Sequence, residues 1–232
     1  MILGWETCSI DFDSAFVQAA LKDPVWIHVP CGFHSPQNSN TCLRLKKSLY
    51  GLTIAPKLWY EHLTSAIFDM EFQQSSYDKC LFFKENIMIA IYVDDCGIAA
   101  SDERHIEDLM AGLRTRGFIL HKEGNFEEFL GIGIDRGPNC TGRIHMTQKG
   151  LIQKVIHYTG MDDCNPNWTP ATQVALGADT DNSEKHEDCY QWSYATAVGM
   201  LQYLAMNTRP DISFAVSQVS RFTHNPKKSH ST

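Results

Sequence analysis

Two adjacent carboxylates, Asp94 and Asp95, stand between two apolar runs, Ile87 to Val93 before them and Cys96 to Ala100 after them. Both runs are rich in β-branched and small apolar residues and read as strands, so the acids mark the junction of an antiparallel hairpin. On a regular strand neighbouring side chains point to opposite faces; a tight turn relaxes that rule and lets both acids reach one tip. Carboxylates this close repel, and one is pushed toward its protonated form unless a cation accompanies them. Aspartate is also a common turn residue, so the pair taken alone describes a solvated hairpin equally well.

A third acid changes the weight of the pair. Asp11 ends the alternating segment Cys8-Ser9-Ile10-Asp11-Phe12, and the small residues Ser14 and Ala15 follow it at a helix start. If the strands bearing Asp11 and Asp94 are neighbours, three carboxylates converge at one end of a sheet. Oxygen donors of this kind suit hard cations, Mg²⁺ above all. They can hold two ions about 3.5–4 Å apart, the arrangement for in-line phosphoryl or nucleotidyl transfer. Backbone N–H groups of Ser14 and Ala15 would then offer a cradle for phosphate oxygens, although Ser14 serves equally well as a plain helix cap.

The remaining pattern predicts an α+β chain. A helix over Ser14 to Leu21 ends at Asp23-Pro24, and Val25 to Val29 forms a strand closed by Pro30. Positions 35–41 are a polar loop. From Ala55 to Phe72 apolar residues recur at helical spacing, with Pro56 in the first turn. Cys80 to Phe83 and Ile87 to Val93 are strands around the turn Lys84-Glu85-Asn86. Ser101 caps a helix whose one face carries Ile106, Leu109, Met110 and Leu113. Strands follow at 118–121, 128–135 and 143–147, then a helix from Lys149 to Tyr158, a polar linker over 165–186, and helices over 190–206 and 211–222.

Charge argues in another direction. The net charge is −7, whereas affinity for phosphate backbones draws on Lys and Arg; composition alone favours a small-molecule enzyme or an interaction module. No apolar run approaches the roughly 18 residues of a membrane span, and Met1 to Ile10 lacks the basic start of a signal peptide. Eight cysteines are scattered without a C-x-x-C pair, which gives neither a zinc site nor a disulfide framework. These features imply an intracellular chain with no membrane partner, cytoplasmic or nuclear and not secreted.

The motifs resemble those of copia-type retrotransposon reverse transcriptases. Asp11-Phe12-Asp13-Ser14-Ala15-Phe16 is similar to the first catalytic motif of that family, usually D-V-K-(S/T)-A-F. Leu45 through Tyr60 resembles L-x-K-(S/A)-L-Y-G-L-K-Q-A-P-R-x-W-Y, and Tyr92-Val93-Asp94-Asp95 matches the metal-binding hairpin. Phe129-Leu130-Gly131-Ile132 looks like the strand that grips the primer. Tyr194 to Gly199, Thr208 to Ile212, and Pro226 with His230 echo Y-R-x-x-V-G, T-R-P-D-I and P-x-x-x-H.

The resemblance implies an RNA-directed DNA polymerase that adds dNTPs to a primer 3′-hydroxyl on an RNA template with two Mg²⁺ ions, Mn²⁺ being a possible substitute. It assigns Asp11, Asp94 and Asp95 as catalytic metal-binding carboxylates. Phe12, Ser14, Ala15, Phe16, Tyr50 and Gly51 would surround the incoming nucleotide, with the Phe16 ring as the steric gate against a 2′-hydroxyl. Tyr92, Val93, Phe129, Leu130 and Gly131 would touch primer or template; Gly131 reads equally well as a bulge glycine. His121, where the family shows Lys, and the adjacent Lys122 are candidate general acids for pyrophosphate departure.

The implied fold is a palm-type antiparallel sheet with flanking helices and partial fingers over 1–136, followed by a helical thumb-like or connection region over 137–232. The chain would be a piece of a longer Pol polyprotein that includes integrase and RNase H, functioning in a virus-like particle. Asp13 in place of Lys, Thr53 and Ile54 in place of Lys and Gln, and the missing basic fingers segment leave a second reading open: a catalytically inactive relic that at most binds nucleic acid or a partner. A nucleotidyl cyclase also uses paired acids on such a sheet, but Leu45 to Tyr60 and the primer-grip-like strand speak against it.

Overall fold

The computed structural model describes residues 4–33, 41–136, 144–171, 176–177 and 184–231. Most of the loop expected at 35–41, much of the linker expected at 165–186, and Cys140 lie outside the described residues. The chain divides into two compact units, Met1–Phe126 and Glu127–Thr232.

The first unit opens with strand β1 (Glu6–Phe12), the short helix α1 (Ala15–Gln18), and the strand pair β2 (Trp26–His28) and β3 (Cys42–Arg44). Helix α2 (Ala55–Asp69) leads into β4 (Gln73–Gln74), β5 (Leu81–Lys84), β6 (Ile87–Tyr92) and β7 (Asp95–Ala100). Helix α3 (Glu103–Thr115) and β8 (Leu120–Asn125) complete it. Six strands form one sheet in the order β4-β5-β6-β7-β1-β8, and each pairing is antiparallel. The fold is α+β.

Period-two alternation decides which face is which. Cys8, Ile10 and Phe12 of β1, Ile87, Ile89 and Ile91 of β6, and Cys96, Ile98 and Ala100 of β7 are buried in one core. Trp59, Leu63 and Ile67 of α2 join them, with Ile106, Leu109 and Leu113 of α3. Both helices therefore cover one face, and the alternate residues of β1, β6 and β7, among them Asp11, Tyr92 and Asp95, take the other. Over Gly97 that second face is closed: a Cβ built there would stand 2.5 Å from Cε2 of the Phe126 ring.

Three local expectations change. The helix after Asp11 is one turn rather than Ser14 to Leu21, because Ala19 turns extended and its carbonyl accepts from the Ser48 N–H at 2.9 Å. The cap of α3 is Asp102, whose side chain accepts from the Arg104 N–H, and not Ser101. The segment 128–135 is two strands, not one, as the second unit shows.

In that unit β9 (Glu128–Phe129), β10 (Ile132–Asp135) and β11 (His145–Thr147) form a three-stranded antiparallel sheet. Leu130 and Gly131, both at positive φ (54° and 73°), make the turn between the first two; consecutive positive φ values are the signature of a tight hairpin. Helices α4 (Lys149–Tyr158), α5 (His186–Cys189), α6 (Tyr194–Asn207) and α7 (Ser213–Ser220) follow. The bounds of α4 coincide with the expected helix. No helix among the described residues is long and apolar enough to cross a membrane.

Substituting Gly97→Ala drives a methyl group against the Phe126 ring. Urea unfolding is expected to show a loss of about 1–3 kcal/mol; an unchanged midpoint would mean the ring is free to swing aside.

Candidate functional site

The β6–β7 hairpin has a two-residue turn, Val93-Asp94, closed by the pair Tyr92 and Asp95. Val93 adopts φ +59°, a conformation a β-branched residue rarely takes and one that costs on the order of 1–3 kcal/mol unless the surroundings enforce it. The enforcing contact comes from α2. The Trp59 indole N–H donates to the Val93 carbonyl at 2.6 Å. The indole is 1% exposed and lies edge-on to Phe12 at 5.1 Å and to Phe118 at 5.9 Å between ring centres. The tryptophan of the second motif thus anchors the acidic turn. The signal available in the sequence is that a buried indole N–H needs an acceptor.

Asp11 reaches the same end of the sheet from the neighbouring strand. Strands β1 and β7 are antiparallel with Ile10 opposite Cys96, so one residue further Asp11 comes beside Asp95 where β7 begins. Both lie on the face away from the helices, and Asp94 occupies the turn. Burial raises the Asp95 pKa above the usual carboxylate value, and the negative charges of Asp94, Glu123 and Asp11 raise it further. Glu123 was not among the expected site residues. It is the unpaired residue of a bulge in β8, where Ser9 pairs with Gly124 and Ile10 with Lys122, and bulges commonly re-aim side chains beside active sites. Excess negative charge on oxygen donors is relieved by a hard divalent cation; in that respect the residues present fit one.

The bulge separates the two candidate general acids. His121 stands opposite Asp11, with Nε2 3.7 Å from Asp11 Oδ2 and Nδ1 3.1 Å from Asp13 Oδ1. Lys122 stands opposite Ile10 on the helix side and pairs with Glu103 of α3 at 2.6 Å. That hydrogen bond raises its pKa. Asp11, Asp13 and His121 form a group whose ligand atoms lie within 4.8 Å of one another, and neither Asp94 nor Asp95 belongs to it.

Among the residues expected around a nucleotide, Phe16 and Tyr50 come together, with ring centres 4.8 Å apart and planes inclined by 47°. Tyr50 is half exposed and Gly51 follows it at φ +92°. Phe12 and Ala15 are instead core residues, 2% and 0% exposed; Phe12 packs on Trp59 away from the acids. Ser14 is left-handed (φ 50°, ψ 52°), and its side chain does not cap α1.

In the second unit Phe129 ends β9, while Leu130 and Gly131 form the hairpin tip. The Leu130 carbonyl accepts from the Tyr203 hydroxyl at 2.7 Å. Gly131, Gly133, Gln148, Lys149, Lys154 and Tyr203 line a cavity of about 490 Å³ there.

Comparison with known proteins shows the family. A family model described as "Reverse transcriptase (RNA-dependent DNA polymerase)" matches residues 2–173. The chain is 34% identical to the "Retrovirus-related Pol polyprotein from transposon RE1" of Arabidopsis thaliana, across 97% of this chain and 15% of that protein. It is 30% identical to the corresponding polyprotein from transposon TNT 1-94 of Nicotiana tabacum, across 98% of this chain and 18% of that one. A putative transposon Ty5-1 protein of Saccharomyces cerevisiae is 28% identical over 95% of this chain and 71% of its own length. The chain therefore spans less than a fifth of the two plant polyproteins. By this match and the hairpin that carries its paired acids, the chain belongs to the reverse transcriptase family of retrotransposon Pol polyproteins.

Proposed function

We propose that the first unit is the palm of an RNA-directed DNA polymerase, that the second unit is its thumb-like or connection part, and that Asp11, Asp94 and Asp95 are its catalytic carboxylates. The observation that carries this reading is the register of β1 against β7, which brings Asp11 beside Asp95 at the root of the turn bearing Asp94. In the reaction the primer 3′-oxygen bonds to the α-phosphorus of a dNTP, the bond from that phosphorus to the bridging oxygen breaks, and pyrophosphate leaves. The hydroxyl proton passes from the nucleophile to solvent water. Divalent ions of the Mg²⁺ type, held by the three acids, would supply hydroxyl activation and charge neutralisation on the triphosphate.

The protein's own groups divide the remaining tasks. The Phe16 ring, braced on Tyr50, closes the space that a ribose 2′-hydroxyl would need. The Val93 turn is held by Trp59, so the acid at its tip keeps its position without a reorganisation cost at the moment of reaction. His121 shares the acid face and its imidazole can hand a proton to departing pyrophosphate; Lys122, paired with Glu103, lies on the opposite face. Gly131 at its hairpin tip leaves the backbone open for a primer strand.

A second reading, an inactive relic that only binds nucleic acid, is favoured by Asp13. Its carboxylate adds negative charge next to Asp11 through His121, where a triphosphate would be repelled. Primer extension on an RNA template separates the readings: Mg²⁺-dependent extension supports the polymerase, and salt-sensitive binding without extension supports the relic.

For an active chain, Asp94→Asn is expected to bring extension to background, and undiminished synthesis would defeat the carboxylate assignment. Phe16→Ala should raise ribonucleotide incorporation relative to deoxyribonucleotide by about tenfold or more; an unchanged ratio removes the gate. Trp59→Phe keeps the ring packing but deletes the bond to Val93. It should cost about 0.5–1.5 kcal/mol in urea unfolding and lower kcat more than it raises KM for the dNTP.

A further inference from the structure

We infer that Asp11, Asp13 and His121 form a mixed oxygen and nitrogen site that takes a first-row transition divalent ion, Mn²⁺ among them, in preference to Mg²⁺. The three side chains come from two strands whose register is fixed. His121 is the cross-strand partner of Asp11. Asp13 lies just past the end of β1, where its N–H donates to the Ile119 carbonyl at 3.0 Å. The Gln18 side chain locks that corner: Nε2 donates to the carbonyls of Asp13 at 2.7 Å and Ile119 at 3.0 Å, while Oε1 accepts from the Ile119 N–H at 3.0 Å. The two acids therefore flank one imidazole without depending on the hairpin turn.

The spacing is compatible with an ion held by all three residues. One ligand atom from each of the three residues falls within 4.8 Å of the other two, with a single ring nitrogen of His121 serving as its ligand atom. Donors bound about 2.1 Å from one ion at right angles lie roughly 3 Å apart. All three side chains are partly open to solvent, at 37%, 53% and 55% for Asp11, Asp13 and His121, which leaves an entry path and room for water ligands.

The nitrogen donor sets the choice of ion. Mg²⁺ prefers oxygen ligands and gives up its waters reluctantly, whereas imidazole binds first-row transition ions well and carboxylates suit Mn²⁺ in particular. The site shares Asp11 with the polymerase reading and stands without it, since neither Asp94 nor Asp95 is one of its ligands.

The test uses the full chain stripped by a chelator and titrated with MnCl₂ or MgCl₂, in the absence of primer, template and nucleotide. Calorimetry gives the two affinities, and pulsed electron paramagnetic resonance of bound Mn²⁺ reports nitrogen coupling from a coordinated imidazole. Mn²⁺ is expected to bind at least about tenfold more tightly than Mg²⁺. His121→Gln should erase the nitrogen coupling and weaken Mn²⁺ at least about tenfold while leaving Mg²⁺ within about twofold. Asp13→Asn should weaken Mn²⁺ as well, and circular dichroism of both variants should match the parent because both positions are at the surface. Asp94→Asn, which the polymerase reading expects to be inactive, should keep the nitrogen coupling. In the parent chain, failure of primer extension with the nitrogen coupling present counts against the polymerase reading alone. Equal affinities for the two ions, no nitrogen coupling in the parent chain, or coupling that survives His121→Gln each overturns the site.

Discussion

The hydrogen bond from the Trp59 indole to the Val93 carbonyl ties the core of the first unit to its acidic turn. On one side it belongs to the core: the indole is wedged between Phe12 and Phe118 and is almost wholly buried. On the other it ends on a turn residue whose backbone sits in a region that valine avoids. A buried donor left without an acceptor would be costly, and so would an unsupported strained turn. Each liability satisfies the other, and the result is an acidic tip whose position is set by the hydrophobic core behind it.

The face beyond that tip concentrates negative charge. Burial lifts the Asp95 pKa and the charges of Asp94, Glu123 and Asp11 lift it further, while Asp13 and His121 stand to one side of Asp11. Lys122, the nearest lysine in sequence, is drawn through the sheet to Glu103. Among the described residues Lys122 is thus turned away from this face, and cations from solution are its natural complement. Net acidity, which counted against a nucleic-acid enzyme from composition alone, is in part a property of this one surface.

Much of this was legible in the sequence. Two apolar runs around paired acids fix a hairpin, because alternation and turn chemistry agree there. The helices α2, α3 and α4 follow from apolar spacing, and the bounds of α4 need no adjustment. Other features depend on partners far away in the chain. The turn at Leu130-Gly131 lacks the Asn-Gly or Asp-Gly signal of a tight hairpin, so the segment reads as one strand. The shortening of α1 comes from Ser48 bonding to the Ala19 carbonyl, which no local propensity announces. The Asp13–His121 pairing and the approach of Glu123 follow from a one-residue bulge in β8, and a register shift is invisible until the pairing strands are known.

The place of β1 in the sheet has a consequence for how the chain is made. It precedes the other five strands of its sheet in the sequence, yet it lies between β7 and β8, with Ile10 opposite Cys96 on one side and Lys122 on the other. Its hydrogen bonds and the apolar side of Ile10 stay unsatisfied by native partners until most of the first unit has been synthesised. Pairings this distant in sequence are slow to close and leave strand edges exposed meanwhile. The strand that contributes Asp11 is thus the one most in need of protection on a nascent chain, and the acid side of the sheet is assembled last.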